Sequence, residues 1–226
     1  MSMPFYVPPE QLMKDRAEYA RKGIARGRSI MALEYGDGLL VLGENTSGAL
    51  YKVSEIYDRI AFAGVGKYNE FESLRVAGIR HADVKGYSYG RLDVTAKSLA
   101  NAYSQTLGHI FTQEVKPYEV EILVLEAGEE AAGNRIFRIT YDGTVADEVG
   151  FAVIGGQDEE LSGPLASQYQ EGLTLPAALQ LGIGIFEQVE SRQIEGSGWE
   201  AAVLDRTLGR RTFRRVSAEE IDTAKG

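Results

Sequence analysis

Residues 29–43 read SIMALEYGDGLLVLG. Ser29 to Tyr35 and Leu39 to Gly43 are apolar runs, and Gly36-Asp37-Gly38 stands between them with glycines able to take positive φ, so the stretch reads as a β-hairpin. The chain continues in kind. After the turn-forming string Glu44-Asn45-Thr46-Ser47-Gly48, the segments Ala49–Val53 and Ile60–Val65 read as two more strands.

Helical periodicity then takes over. Phe71, Leu74, Gly78 and His81 trace one face of a helix from about Lys67 to Asp83. Ala96, Leu99, Ala100, Tyr103, Leu107, Ile110 and Phe111 trace a longer one from Asp93 to about Glu114. Strands return at Tyr118–Glu126, Ile136–Tyr141 and Phe151–Ile154, with Asp142-Gly143 as a turn. A second helical pair follows, about Glu159–Glu171 and Thr174–Glu190. In the latter Thr174 caps, Pro176 fits the first turn, and Gly182 and Gly184 mark close packing. Trp199–Leu204 and Arg211–Val216 close the chain as a hairpin.

Strands and helices in blocks, without strict alternation, predict antiparallel sheets under helical layers. The expected fold is α+β, a four-layer α/β/β/α sandwich of two antiparallel sheets. Upstream of the hairpin, Leu12, Met13, Ala17 and Ala20 recur at helical spacing, with Glu10–Lys14 and Glu18–Lys22 as i,i+4 pairs, so an extra N-terminal helix runs from Glu10 to near Gly23. Three of the six prolines fall within residues 1–9, which predicts an extended arm. The expected division is an arm at 1–9, one domain at 10–216 and a frayed tail at 217–226.

Composition removes several classes of function. The 226 residues contain no Cys and two His, so disulfides, thiol nucleophiles and Cys/His zinc sites are excluded, and no metal or cofactor is expected. Thirty-three acids against 24 Lys and Arg give a net charge of −9, which disfavours binding to nucleic acid. No signal peptide and no apolar run of membrane-spanning length is present, which predicts a cytoplasmic chain without membrane contact. Acids crowd residues 118–160, and a basic cluster, Arg21, Lys22, Arg26 and Arg28, lies near the start.

The motif search is mostly negative. Gly64-Val65-Gly66-Lys67 lacks the first Gly and the final Ser or Thr of a phosphate loop, with Ala61 and Tyr68 in those places, so it reads as a strand-to-helix turn. His81 and His109 read as packed or surface residues. The carboxylates of 118–160 read as a solvated or subunit-facing surface, and Arg210, Arg211, Arg214 and Arg215 as charge protecting an edge strand.

An ordered set of features is more specific. Glu18-Tyr19-Ala20-Arg21 on the N-terminal helix, Gly27 before the first strand, the Gly36-Asp37-Gly38 hairpin, Lys52, and Lys116-Pro117-Tyr118-Glu119-Val120 together resemble the α-type subunit of the proteasome core particle, most closely the actinobacterial kind. The resemblance spans nearly the whole chain and implies the sandwich shared with N-terminal-nucleophile hydrolases.

By that resemblance the chain is not catalytic. Catalytic β-type relatives begin their first strand with a threonine freed by cleavage, supported by an acid and a lysine. Here Arg28 or Ser29 takes the nucleophile position, with Glu44 and Lys52 near the acid and lysine. The implied role is to form a seven-membered ring stacked on a ring of β subunits, with the N-terminal helix, through Glu10, Lys14, Glu18, Tyr19 and Arg21, contacting neighbouring α subunits. Met1, Ser2, Met3, Pro4, Phe5, Tyr6 and Val7 would gate the pore for unfolded protein substrates. Tails of ring-shaped ATPase or ATP-independent activators would dock with their terminal carboxylate on Lys52 and their penultimate ring against Gly27 and Gly23. Two alternatives stand beside this one. The first is a self-processing hydrolase cleaved between Arg28 and Ser29, with Ser29 as nucleophile; the second is a monomeric module binding a basic partner through residues 118–160.

Overall fold

The computed structural model describes residues 8–225. Helix α1 (Pro9–Ile24) leads into β1 (Ile30–Tyr35) and β2 (Gly38–Glu44), the hairpin expected around Gly36-Asp37-Gly38. Then come β3 (Val53–Tyr57), β4 (Ile60–Gly66), α2 (Tyr68–Ser88), α3 (Ala96–Gln113), β5 (Val120–Glu126), β6 (Arg135–Ile139), β7 (Val145–Glu148) and β8 (Phe151–Ile154). The chain finishes with α4 (Asp158–Gln168), α5 (Leu175–Glu190), β9 (Trp199–Asp205), β10 (Phe213–Arg215) and α6 (Ala218–Lys225).

The strands form two five-stranded antiparallel sheets, ordered β10-β9-β2-β1-β8 and β3-β4-β5-β6-β7. The period of two along each strand sorts its side chains between layers. On β1 and β2, Ile30, Ala32, Leu39 and Val41 join the core between the sheets, which also takes Ala61, Ala63 and Leu123 from the second sheet. Met31, Leu33, Leu40 and Leu42 turn the other way, onto Leu179, Ile183 and Phe186 of α5. Phe62, Ile122 and Val124 meet Phe71, Leu74, Leu99 and Tyr103 of α2 and α3. This is the expected α/β/β/α order. A hairpin buried on both faces has little use for polar residues, hence its near-continuous apolar runs. Helix α1 closes one end of the inter-sheet core through Ala20 and Ile24, and Arg16 reaches across to the last turn of α3, donating to the carbonyls of Phe111 at 2.8 Å and Ile110 at 3.2 Å.

Helix caps match the sequence where its signals were used: Thr174 accepts from the Ala177 amide, and Pro176 lies in the first turn of α5. Five expectations need correction. The third strand starts at Val53 and not at Ala49, because Asn45 and Ser47 fold the intervening residues into side-chain-bonded turns. The Asp142-Gly143 turn leads from β6 into β7 and not directly to Phe151–Ile154, because β7 is an exposed edge strand without the apolar alternation that would mark it. Of the two α5 glycines only Gly182 is at close quarters, where an added Cβ would meet Leu42 at 2.9 Å; Gly184 has open space. His81 is exposed, and Ala82 is buried in its place on the α2 face. The tail expected to fray is helix α6, whose Ile221 is buried against the α5 layer and whose Lys225 pairs with Glu187 at 2.8 Å.

Candidate functional site

The chain leaves β2 at Glu44 and returns at β3, and Lys52 ends that loop. Its ammonium donates to the Glu44 carbonyl at 3.0 Å, while its main-chain amide and that of Val53 both donate to the Glu200 carboxylate, at 3.0 and 2.9 Å. Burial pushes the Lys52 ammonium below the usual lysine range; the carboxylates of Glu200 and Glu44 oppose this, and Arg28 adds to it. The result is a half-buried cation held in one place with donors left for a ligand.

Gly23 and Gly27 line a different cleft, of about 440 Å3, together with Tyr19, Arg26, Gly66, Lys67 and Glu119. Its floor is bare backbone for a reason. Gly66 has φ +97° and an added Cβ there would strike the Glu119 carbonyl; one on Gly23 would meet the Glu119 side chain at 2.6 Å. The walls are polar and tied together: Glu70, buried on α2, accepts from the Lys116 ammonium at 2.6 Å and the Glu119 amide at 2.7 Å, and Lys116 lies 5.5 Å from the Tyr19 ring centre. A hydrogen bond from Tyr19 raises the pKa of its own phenol as Glu119 accepts it.

Within one chain the structure therefore brings Gly23, Gly27 and Tyr19 together and places Lys52 outside their cleft. The link between the two places is Arg28, next to Gly27, which pairs with Glu44 at 3.4 Å. Sequence reasoning missed Gly66, Lys67 and Arg26 as cleft residues. The signal for Gly66 and Lys67 was present in Gly64-Val65-Gly66-Lys67, which is the strand-to-helix turn expected of it and also the cleft's edge, and Arg26 stood in the basic cluster near the start.

The remaining α1 residues, Glu10, Lys14, Glu18 and Arg21, are exposed along one solvent-facing helix. Glu18 pairs with Lys22 at 2.8 Å as expected. At the first turn Gln11 bonds Asp15 at 2.6 Å, and no ion pair of Glu10 with Lys14 forms among the described residues. Residues 1–7, the expected gate, lie outside the described residues.

At the start of β1 the chemistry of a nucleophile is lacking. The Ser29 hydroxyl is buried and accepts from the Gln157 amide at 3.2 Å; no base is within hydrogen-bond reach of it among the described residues. Arg28 pairs with Glu44 and with Glu190 at 3.5 Å, and Arg192 pairs with Glu44 at 2.6 Å, so Glu44, the residue expected near the acid of catalytic relatives, is paired with two guanidiniums. The acidic stretch is less solvated than expected: Glu121 is buried, its carboxyl pushed up by burial against the Arg138 guanidinium and the Gly155 amide. The C-terminal arginines are spent locally, Arg211 on Glu55, Arg214 on Glu220 and Arg215 on Glu200, along the edge strand β10. No group of three or more potential metal ligands occurs among the described residues, and no described helix is long and apolar enough to cross a membrane.

A two-sheet sandwich with a glycine-floored cleft beside its leading helix defines a class, and comparison with known families agrees: the family described as Proteasome subunit matches residues 24–204. The chain belongs to that family, on its α-type branch. The chain is 57% identical to the proteasome subunit alpha of Thermomonospora curvata over 223 residues, covering 98% of this chain and 97% of the relative. Identity to the proteasome subunit alpha of Kineococcus radiotolerans is 57% over 225 residues, 96% of this chain and 95% of the relative, and to that of Thermobifida fusca 51% over 223 residues, 98% and 90%. Likeness at this level to α-type chains, with an unsupported Ser29, removes the self-processing hydrolase as a reading; the chain is a non-catalytic, ring-forming, gating subunit.

Proposed function

We propose that this chain builds the outer rings of a proteasome core particle in the cytoplasm, stacking on rings of β subunits that carry the threonine active sites and controlling entry of unfolded proteins to them. The observation that carries the reading is near full-length identity to α-type subunits, together with a first strand whose nucleophile position is filled by an ion-paired Arg28 and a buried Ser29.

In a closed ring each subunit presents the Lys52 loop to one neighbour and the Gly23–Gly27 cleft to another. The activator tail would lie between them, its carboxylate on Lys52 of one copy and its penultimate ring on the glycine floor of the next. That arrangement accounts for the separation of the two within a single chain. A carboxylate also suits a lysine whose burial has cost it hydration, since the ligand returns the charge partner that water supplied. Residues 1–7 would converge on the axis and close the pore until docking moves them aside, and Glu10, Lys14, Glu18, Tyr19 and Arg21 of α1 would meet the adjacent α subunit.

The test is to assemble the chain with its β subunits and record a native mass spectrum and the hydrolysis of a short fluorogenic peptide. Two rings of this chain at the ends of the stack, with an uncleaved subunit mass, support the reading. A subunit beginning at Ser29, or particles that hydrolyse peptide without β subunits, would overturn it.

A further inference from the structure

Glu200 is a fully committed carboxylate. It sits on β9, 6% exposed, and its two oxygens accept from four donor groups: the Lys52 amide, shared between both oxygens at 3.1 and 3.0 Å, the Val53 amide at 2.9 Å, the Asn45 side-chain amide at 2.7 Å and the Arg215 guanidinium at 3.3 Å. Burying a carboxylate is costly unless it is paired and hydrogen-bonded, so such a residue in a sheet otherwise lined by Ala201, Ala202 and Val203 has a definite use. The use is visible in what it holds. Asn45 is the first residue after β2 and Lys52 the last before β3, so one carboxylate staples both ends of the loop. Asn45 also donates to the Leu50 carbonyl at 2.8 Å, and Arg215 adds a bond to the Val53 carbonyl at 2.9 Å while its guanidinium lies 3.8 Å from the Tyr51 ring centre. The staple joins a strand of one sheet to the first residues of the other: the Lys52 carbonyl accepts from the Gly64 amide of β4 at 3.0 Å, and the Lys52 amide is held by Glu200.

We propose that Glu200 is the positioning residue of the docking lysine: by fixing the main chain at Lys52 and Val53 it sets the Lys52 ammonium where an incoming terminal carboxylate meets it. The inference rests on Lys52 being the carboxylate partner. The loop ends are then ordered before a ligand arrives, and binding does not have to offset their ordering. Glu200 acts on the ammonium electrostatically as well. The charged groups around Lys52 are Glu200 of β9, Glu44 of β2, Arg28 ahead of β1 and Arg215 of β10; of these Glu200 is the strongest support for the charged lysine. Losing its charge would leave Glu44 alone to oppose burial and Arg28 at Lys52.

The experiment uses the particle assembled with β subunits and, as probe, a short peptide with tyrosine at its penultimate position and a free C-terminal carboxylate, its C-terminal amide serving as control. Peptide-stimulated hydrolysis is titrated for the parent, Lys52→Ala, Glu200→Gln and Glu200→Asp, with assembly followed by native mass. Glu200→Gln places an NH2 against the Lys52, Val53 and Asn45 donors and is expected to raise the half-stimulating peptide concentration about tenfold, the worth of one hydrogen bond to a charged group, with the maximal stimulated rate kept. Stimulation of Glu200→Gln should also fade at lower pH than in the parent, because the lysine has lost its supporting charge; a residue that only held the fold together would not move that profile. Glu200→Asp keeps the charge but is too short to reach both amides, so it should weaken binding and retain the parental pH profile, and it decides the matter if the Gln variant fails to assemble. Parental titration and pH profile in both variants, with Lys52→Ala unresponsive, overturn the role of Glu200 and leave docking at Lys52 standing. Full stimulation in Lys52→Ala overturns both.

Discussion

Lys52 spends one of its donors on the Glu44 carbonyl and keeps the others for a ligand, in surroundings that lower its affinity for a proton. Its sign matters for activation. The proposed docking uses the ammonium, so on that proposal stimulation by an activator should decline as pH rises through the Lys52 pKa, and that decline should begin below the ordinary lysine value of about 10.4; a pH series of stimulated hydrolysis checks it. Lys52→Ala is expected to abolish stimulation in intact particles. Gly66 is constrained for a different reason, positive φ and a carbonyl where its Cβ would be. Gly66→Ala should cost about 2 kcal/mol, read as a fall in denaturation midpoint, since both strain and a displaced Glu119 follow from one methyl.

At the level of elements, α6 shows how a short helix is made to stay. Eight residues do not hold a helix in water unaided. Ser217 and Glu220 form a reciprocal cap, each side chain accepting from the other's main-chain amide, at 2.9 and 3.2 Å, and Ile221 is buried beneath. The Ser217 amide holds the Glu220 carboxyl below its usual range, burial opposes this, and Arg214 helps lower it. A carboxyl lowered in the fold contributes stability that is full above about pH 4.3 and vanishes as pH falls through its folded value. Protection of the amides across 218–225, taken relative to their intrinsic exchange rate at each pH, should therefore fall on acidification before that of the sandwich does. Ile221→Ala is expected to cost about 2 kcal/mol or more by thermal melting, as for other buried isoleucines. The signal for this element lay in the sequence as Ser217-Ala218-Glu219-Glu220, a capping box ahead of Ile221.

For the molecule as a whole, the sandwich carries the Lys52 loop and the glycine-floored cleft as two separate features linked through Arg28, and the proposed docking mode joins them across neighbouring copies. Removing Met1 to Val7 is expected to raise basal peptide hydrolysis by the assembled particle several-fold, because the pore would lose its closure; an unchanged rate in correctly assembled particles would sink the gate. The cleft also predicts an asymmetric complementation. Particles mixed from Lys52→Ala chains and chains with Gly27→Val should keep some pockets intact, those formed by an unaltered lysine on one copy and an unaltered cleft on its neighbour, so stimulation should exceed that of either variant alone.

Strand and helix identity was legible wherever burial is one- or two-sided and periodic. The hairpin at 29–43, the α3 face from Leu99 to Leu107 and the capped α5 need only the arithmetic of 2.0 and 3.6 residues per repeat. Composition likewise settled that no thiol or Cys/His metal chemistry is available. The site was less legible because its working parts are not periodic and not near one another in the chain. Glu200 meets Lys52 across 148 residues and Arg28 meets Glu190 across 162, contacts that no local pattern records. His81 went to solvent, and Glu121 into the interior, because the register of whole elements and not the residue's own preference decides which side faces the core. What the sequence alone determined was the set of layers; tertiary structure decided which polar groups those layers trap, since a buried charge persists only where distant segments bring it its partners.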